Sequence, residues 1–165
     1  MSRIPDAEIL YFDPSVSVIA PLKDKKARPM LTAYKKEGFR PQKNITVYSL
    51  PPVLPFFNKS RASNRVKQKR IAAYGRKIMK RHGFEKPLLW VYSPVTVDAV
   101  EHIPHSALVY DCVDRHSAYG GLMNPALVDA EELELAGKCG MVFATAAPLA
   151  ERLRAANPKA RFIPN

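Results

Sequence analysis

The sequence predicts an α/β fold, a Rossmann-like and mainly parallel sheet with helices on both faces. Three observations lead there. Short apolar runs alternate along the chain with segments of helical periodicity. One run, Ala107-Leu108-Val109-Tyr110, is nearly all apolar, as in a strand covered on both faces. That run then breaks into Asp111, Cys112, Val113, Asp114, Arg115 and His116. Two carboxylates, a guanidinium and an imidazole thus collect just past the strand, where open α/β sheets bind ligands. A solvated loop whose Asp caps the next helix would look the same at this level.

Each element has its own justification. Glu8 to Phe12 (EILYF) is a first strand, stopped by Asp13-Pro14. Lys23 to Gly38 is a charged loop with a short helix around Met30, Leu31 and Tyr34. Asn44 to Leu50 (NITVYSL) is β-branched and aromatic, a second strand. Pro51, Pro52 and Pro55 then forbid regular structure. Ser60 to His82 is the clearest helix, with Ile71, Tyr74 and Ile78 in one stripe widened by Ala72, Gly75 and Met79. Gly83 suits the position just past its end. Pro87 to Tyr92 (PLLWVY) is a third strand, and Val95 to His102 is one or two helical turns. After the central strand, Asn124-Pro125 opens a helix through Lys138, with acids early as the macrodipole prefers. Met141 to Thr145, a helix over Leu149 to Ala156 and a strand over Ala160 to Ile163 complete the pattern.

A chain of 165 residues, 47% hydrophobic and 25% charged, fits one folded domain. No apolar run approaches the roughly 20 residues of a membrane span, and MSRIPDAE lacks the apolar core of a secretory signal. The expected location is the cytoplasm, with Cys112 and Cys139 as reduced thiols. No Cys/His spacing resembles a structural zinc site, so no metal is expected.

The net charge of +11 is uneven. Phe39 to Phe84 contains no Asp or Glu but many Lys and Arg, most of them on the long helix. Such a block attracts anionic partners: phospholipid headgroups, phosphorylated substrates or nucleic acid. The helix is basic and amphipathic, which points to a membrane surface. Arg65, Lys67, Lys69 and Arg70 are the candidate anion-binding residues. Phe56 and Phe57, just upstream, fit either the core, where large apolar residues mostly go, or a membrane-dipping loop.

Several chemistries are excluded by motif. No G-x-G-x-x-G follows the first strand, and neither a P-loop nor a G-x-S-x-G elbow occurs. Asp111 and Asp114 are three apart, unlike the two-apart D-x-D that holds a metal diphosphate in one class of sugar transferases.

Taken together, the segments resemble a known family. VYDCVDRHSAYGG, MVFATAAPLAERLRAANP and ARFIPN follow one another as in the N-terminal half of bacterial GT-B glycosyltransferases. The likeness is to the retaining family 4 branch that includes the teichuronic acid biosynthesis enzyme. That branch shows a Y-D-C-x-D-D strand end, a strand of the type LVFVTSEPLAERL and then IPNGVD. ILYFDPSVS and KPLLWVYSP resemble its earlier strands. Two positions depart from it: Arg115 replaces the second Asp of the pair, and Ala146-Ala147 stand where Ser-Glu is common.

The resemblance implies that residues 1–165 are a single acceptor-side domain, with the C-terminal, donor-binding domain outside this chain. It implies transfer of a hexosyl group from a nucleotide-sugar to a saccharide or lipid-linked acceptor in cell-envelope polysaccharide synthesis. The nucleotide-sugar is then a substrate, and no cofactor is implied. Asp111, Asp114 and His116 would line the cleft as the catalytic group, with His116 as proton carrier. Ser93, Ser117, Tyr119, Thr145 and Asn165 would contact substrate. A peripheral position on the inner membrane face would suit a lipid-linked acceptor. Two alternatives remain open on the residues: a non-catalytic interaction domain, and a basic nucleic-acid-binding module.

Overall fold

The apolar run that dominates the sequence is the central strand of a four-stranded sheet. In the computed structural model, which describes residues 7–53, 60–119 and 124–164, it extends over Ala107–Cys112. The chain divides into two compact units, Met1–Pro55 and Phe56–Asn165.

In the first unit, β1 (Ile9–Asp13) pairs in parallel with β3 (Ile45–Ser49), as its β-branched and aromatic residues suggest. β2 (Phe39–Gln42) adds an antiparallel edge to β3. The sequence gives little sign of β2, because it is exposed throughout and carries Pro41, which only an edge strand tolerates. Two single-turn helices, α1 (Ala20–Lys23) and α2 (Met30–Ala33), fill the charged connection. Tyr48 and Thr46 are buried, and a Cβ on Gly38 would stand 2.5 Å from Thr46 Cγ2 and 2.7 Å from the Tyr48 ring.

In the second unit, β4 (Leu88–Val91), β5 (Ala107–Cys112), β6 (Met141–Ala144) and β7 (Arg161–Phe162) are all parallel and lie side by side in chain order. α3 (Arg61–Arg81) precedes β4. The connections carry α4 (Val97–Val100), α5 (Pro125–Lys138) and α6 (Ala147–Arg154). Local signals set the helix ends. Asn124 Oδ1 accepts from the Leu127 amide with Pro125 in the first turn, and Gly83 takes φ +73° past the end of α3. There Phe84 N donates to Met79 O and Gly83 N to Lys80 O, the paired bonds of a Schellman cap.

Period-two alternation decides which strand residues meet the helices. Leu89, Val91, Leu108, Tyr110, Cys112, Val142 and Ala144 share a core with Val97 and Val100 of α4, Leu135 and Ala136 of α5, and Ala150 and Leu153 of α6. All three connecting helices therefore pack on the same face of this sheet. The expected α/β class, with a parallel sheet flanked by helices and compatible with a Rossmann-like fold, is what the second unit shows, while the expectation of a single sheet is corrected. The described strands form two sheets, and the four-stranded one is wound in one direction. The reason is its strand order: right-handed crossovers between successive neighbours return every helix to the same side. A doubly wound sheet needs its order to reverse, which this sheet does not do. No helix among the described residues is long and apolar enough to cross a membrane.

Gly38→Ala should destabilise the first unit by about 1–3 kcal/mol, because Thr46 and Tyr48 must move from packed positions. Urea unfolding followed by tyrosine fluorescence measures it, and an unchanged midpoint would show that the close approach is relaxed.

Candidate functional site

β5 presents its side chains to opposite faces, and this separates the residues expected to act together. Tyr110 and Cys112 point to the helices, where a buried carboxylate waits. Glu132 of α5 is 1% exposed. Its Oε1 accepts from the Tyr110 hydroxyl at 2.6 Å and lies 3.5 Å from Cys112 Sγ. Its Oε2 accepts from Arg152 Nη1 of α6, whose Nη2 reaches Asp129 at 2.6 Å. A buried charge is tolerable only with such partners. Burial, and then the Glu132 charge, push the Tyr110 hydroxyl far above its ordinary value. Burial pushes the Cys112 thiol up to about 12, so it is unreactive.

Just beyond the strand, a short turn gathers three polar groups. The Tyr119 hydroxyl donates to Asp114 Oδ2 at 2.7 Å. That bond raises the Tyr119 pKa, although the ring stands in solvent. His116 Nδ1 donates to the Asp114 carbonyl at 3.1 Å, which in the neutral ring leaves the lone pair on Nε2. The His116 and Tyr119 rings meet edge to face at 5.7 Å. Thr145, at the end of β6, closes the side of the group: its Oγ1 donates to Val113 O at 2.7 Å and its amide to Cys112 O. Arg115, the departure from the family pattern, ties the turn down, with Nη2 3.6 Å from Asp129 and Nε 3.1 Å from Ser117 Oγ.

Asp114, His116, Tyr119 and Thr145 are thus brought together, and the other expected members are not. Asp111 is on the opposite sheet face, where its Oδ2 accepts from Trp90 Nε1 at 3.2 Å beside the stacked Trp90 and Phe143 rings. The alternation that sends Tyr110 and Cys112 inward sends Asp111 the other way. Ser117 is buried, with its hydroxyl accepting from Arg115. Ser93 follows β4 and opens a turn, its carbonyl accepting from Thr96. Asn165, Phe56 and Phe57 lie outside the described residues.

The basic helix also splits. Lys69 and Arg70 are exposed. Arg65 reaches back to Asp98 of α4 at 3.4 Å, and Lys67 is half-buried toward Glu131. Loss of solvent lowers the Lys67 pKa to about 7, against the pull of Glu131. Arg65, itself exposed, and Lys67 therefore also face acids of the helix interface.

That interface was not foreseen. Arg61 bridges Asp98 at 2.9 Å and Glu134 at 2.7 Å, while Asn64 Nδ2 donates to Val95 O and to Glu131 Oε1. The Arg61 bond, helped by Lys138, holds the Glu134 carboxyl down to about 2. A cleft of about 290 Å³ opens over these groups, between Arg61, Arg65 and Lys69 on one side and Asp98, Glu101 and Glu134 on the other. Three cationic and three acidic side chains line it, so their charges largely offset one another. The available signal was spacing: Asn64 and Gln68 extend the Ala72–Gly75–Met79 stripe by whole turns.

Chemically, the strand-end group offers a carboxylate and an imidazole lone pair to hydroxyl-bearing ligands. Among the described residues no group of three or more His, Cys, Asp or Glu is placed to hold a metal ion. No protein-family model matches this sequence, and no curated protein is significantly similar to it.

Two outcomes follow. Glu132→Ala leaves Arg152 without its inner partner and should cost about 3–5 kcal/mol, read by chemical denaturation. An effect no larger than that of a surface substitution would show that the cluster is solvated. Lys67 is charged in the unfolded chain up to about its ordinary 10.5 but neutral in the folded one above about 7. The unfolded state then binds more protons, so stability should rise with pH across that window. Lys67→Met should flatten the rise, and an unaltered pH profile would place the ammonium in water.

Proposed function

We propose that the carboxyl end of β5, with the adjoining end of β6, is the acceptor-side site of a nucleotide-sugar-dependent glycosyltransferase. This chain supplies the acceptor-binding part of a GT-B-type enzyme. The observation that carries the reading is the grouping of the Asp114 carboxylate, the His116 ring and the Tyr119 hydroxyl in one turn past a parallel strand. The sequence resemblance adds to it: the turn is the part of VYDCVDRHSAYGG that resembles the family's strand end.

On this reading Asp114 and Tyr119 orient an acceptor hydroxyl by hydrogen bonds. His116 Nε2 takes up its proton as the new glycosidic bond forms. The donor's departing diphosphate carries negative charge, which basic side chains and helix N-termini of a donor-binding part would stabilise. Arg115 does not take part, because it is held to Asp129 and Ser117. Asp111 contributes only through the sheet, as the partner of Trp90.

An NMR titration of the labelled chain with N-acetylhexosamine and hexuronic acid oligosaccharides tests the site. The amides of Asp114, His116, Tyr119 and Thr145 should shift together. Asp114→Ala should weaken binding by about 10-fold or more, equivalent to losing a hydrogen bond to a charged group. Shifts confined to other surfaces, or none with any saccharide, would overturn the reading.

A further inference from the structure

α3 is two different helices seen from its two sides. Its inward side carries Asn64, Gln68, Ala72, Gly75, Ile78 and Met79, all buried. At 100° per residue, the opposite side carries Ala62, Val66, Arg70, Ala73, Lys77, Lys80 and Arg81, with Lys69 at its edge beside the cleft against α4, all exposed. Val66 and Ala73 lie on its midline, and Val66 is 66% exposed. The cations flank that midline along a helix of 21 residues, about 30 Å. The helix has no Asp or Glu. The acids packed against it, Asp98, Glu131 and Glu134, meet Arg61, Arg65 and Lys67 on the inward and lateral sides. Among the described residues, Lys69, Arg70, Lys77, Lys80 and Arg81 form no ion pair.

Neighbouring like charges along one helix repel, and the fold uses none of these five to hold itself together. We propose that this outer face of α3 is a docking surface for an anionic phospholipid bilayer. Charge complementarity requires an anionic partner, and the rest of the face says which kind. Nucleic-acid recognition draws on amide side chains for base edges and on aromatic rings for stacking. Both amides of the helix, Asn64 and Gln68, are buried inward, and the outer face has no aromatic residue. It offers point charges on long flexible stems around a shallow aliphatic midline. Such a face lies flat on headgroups, with the stems spread and the midline at the acyl boundary. The inference is independent of the transferase reading, since it uses no residue of the strand-end site.

Flotation of the full 165-residue chain with vesicles tests it. The chain should bind equimolar phosphatidylglycerol–phosphatidylcholine vesicles in dilute buffer, be released in molar sodium chloride, and ignore pure phosphatidylcholine. Each cation near an anionic surface adds about fivefold to partitioning, so Lys69→Glu/Arg70→Glu/Lys77→Glu/Lys80→Glu should lower it at least about twentyfold. The neutral counterpart, with Gln at the same four positions, guards against failure to fold, and its circular dichroism should match the parent. Reversing Lys23, Lys25, Lys26 and Lys43 instead changes the net charge equally and should lower binding less than about threefold. Equal losses in the two sets, binding to neutral vesicles, or binding only to an arbitrary duplex oligonucleotide would overturn the proposal.

Discussion

Glu132 is a carboxylate with almost no access to water, held by three elements at once. β5 gives it the Tyr110 hydroxyl, α6 gives it Arg152, and its own helix supplies the Asp129 that shares Arg152. Removing a charge of this kind from water costs several kcal/mol, so it persists only if the three elements keep their places. The constraint runs in both directions. The core of small side chains, Ala136, Ala144 and Ala150, brings the helices close enough to the sheet for the bonds to form. The bonds in turn fix the register of α5 and α6 against the end of β5. The turn over residues 113–119 begins one residue after Cys112, whose own sulfur lies 3.5 Å from the same carboxylate oxygen. The strand-end group of Asp114, His116 and Tyr119 is therefore built beside a point where β5, α5 and α6 are tied together.

The same economy of charge explains the long helix. Cations that face the protein are matched by acids from α4 and α5, and cations that face away form no ion pair among the described residues. A large net charge by itself says only that anions are attracted. Its division by the fold separates the cations paired with α4 and α5 from five that form no ion pair among the described residues. Lys67 shows the difference most clearly: in sequence it is one more basic residue, and in the fold its charge is suppressed near neutrality.

Much of the fold was legible in the chain, for reasons that vary by element. The β5 run, the α3 stripe with its Gly83 cap and the Asn124-Pro125 helix start are local signals, and local signals survive folding. β2 was hidden because an exposed edge strand needs no apolar pattern. The split into two sheets was hidden because strand order depends on packing, to which single-strand patterns are blind. In the site, Asp114 and His116 were legible as polar residues past a strand end. Asp111 is next to them in sequence but faces Trp90 and Phe143, because the period of the strand separates neighbours. Tyr110 and Cys112 cannot both face the helices unless the residue between them faces away. Arg115 reads as a lost carboxylate in sequence, yet in the fold it anchors the turn. Asn64, Gln68 and Glu131 escaped because buried polar residues are recognisable only through their partners.

Amide hydrogen exchange tests the central claim, that the Glu132 cluster holds the strand-end turn in place. Arg152→Met removes one partner and leaves the Tyr110 bond. The account predicts faster exchange by about tenfold or more at Ala118, Tyr119 and Thr145, whose amides bond within the turn and to Cys112, with β1 and β3 of the first unit unaffected. Unchanged protection at those three amides would contradict it.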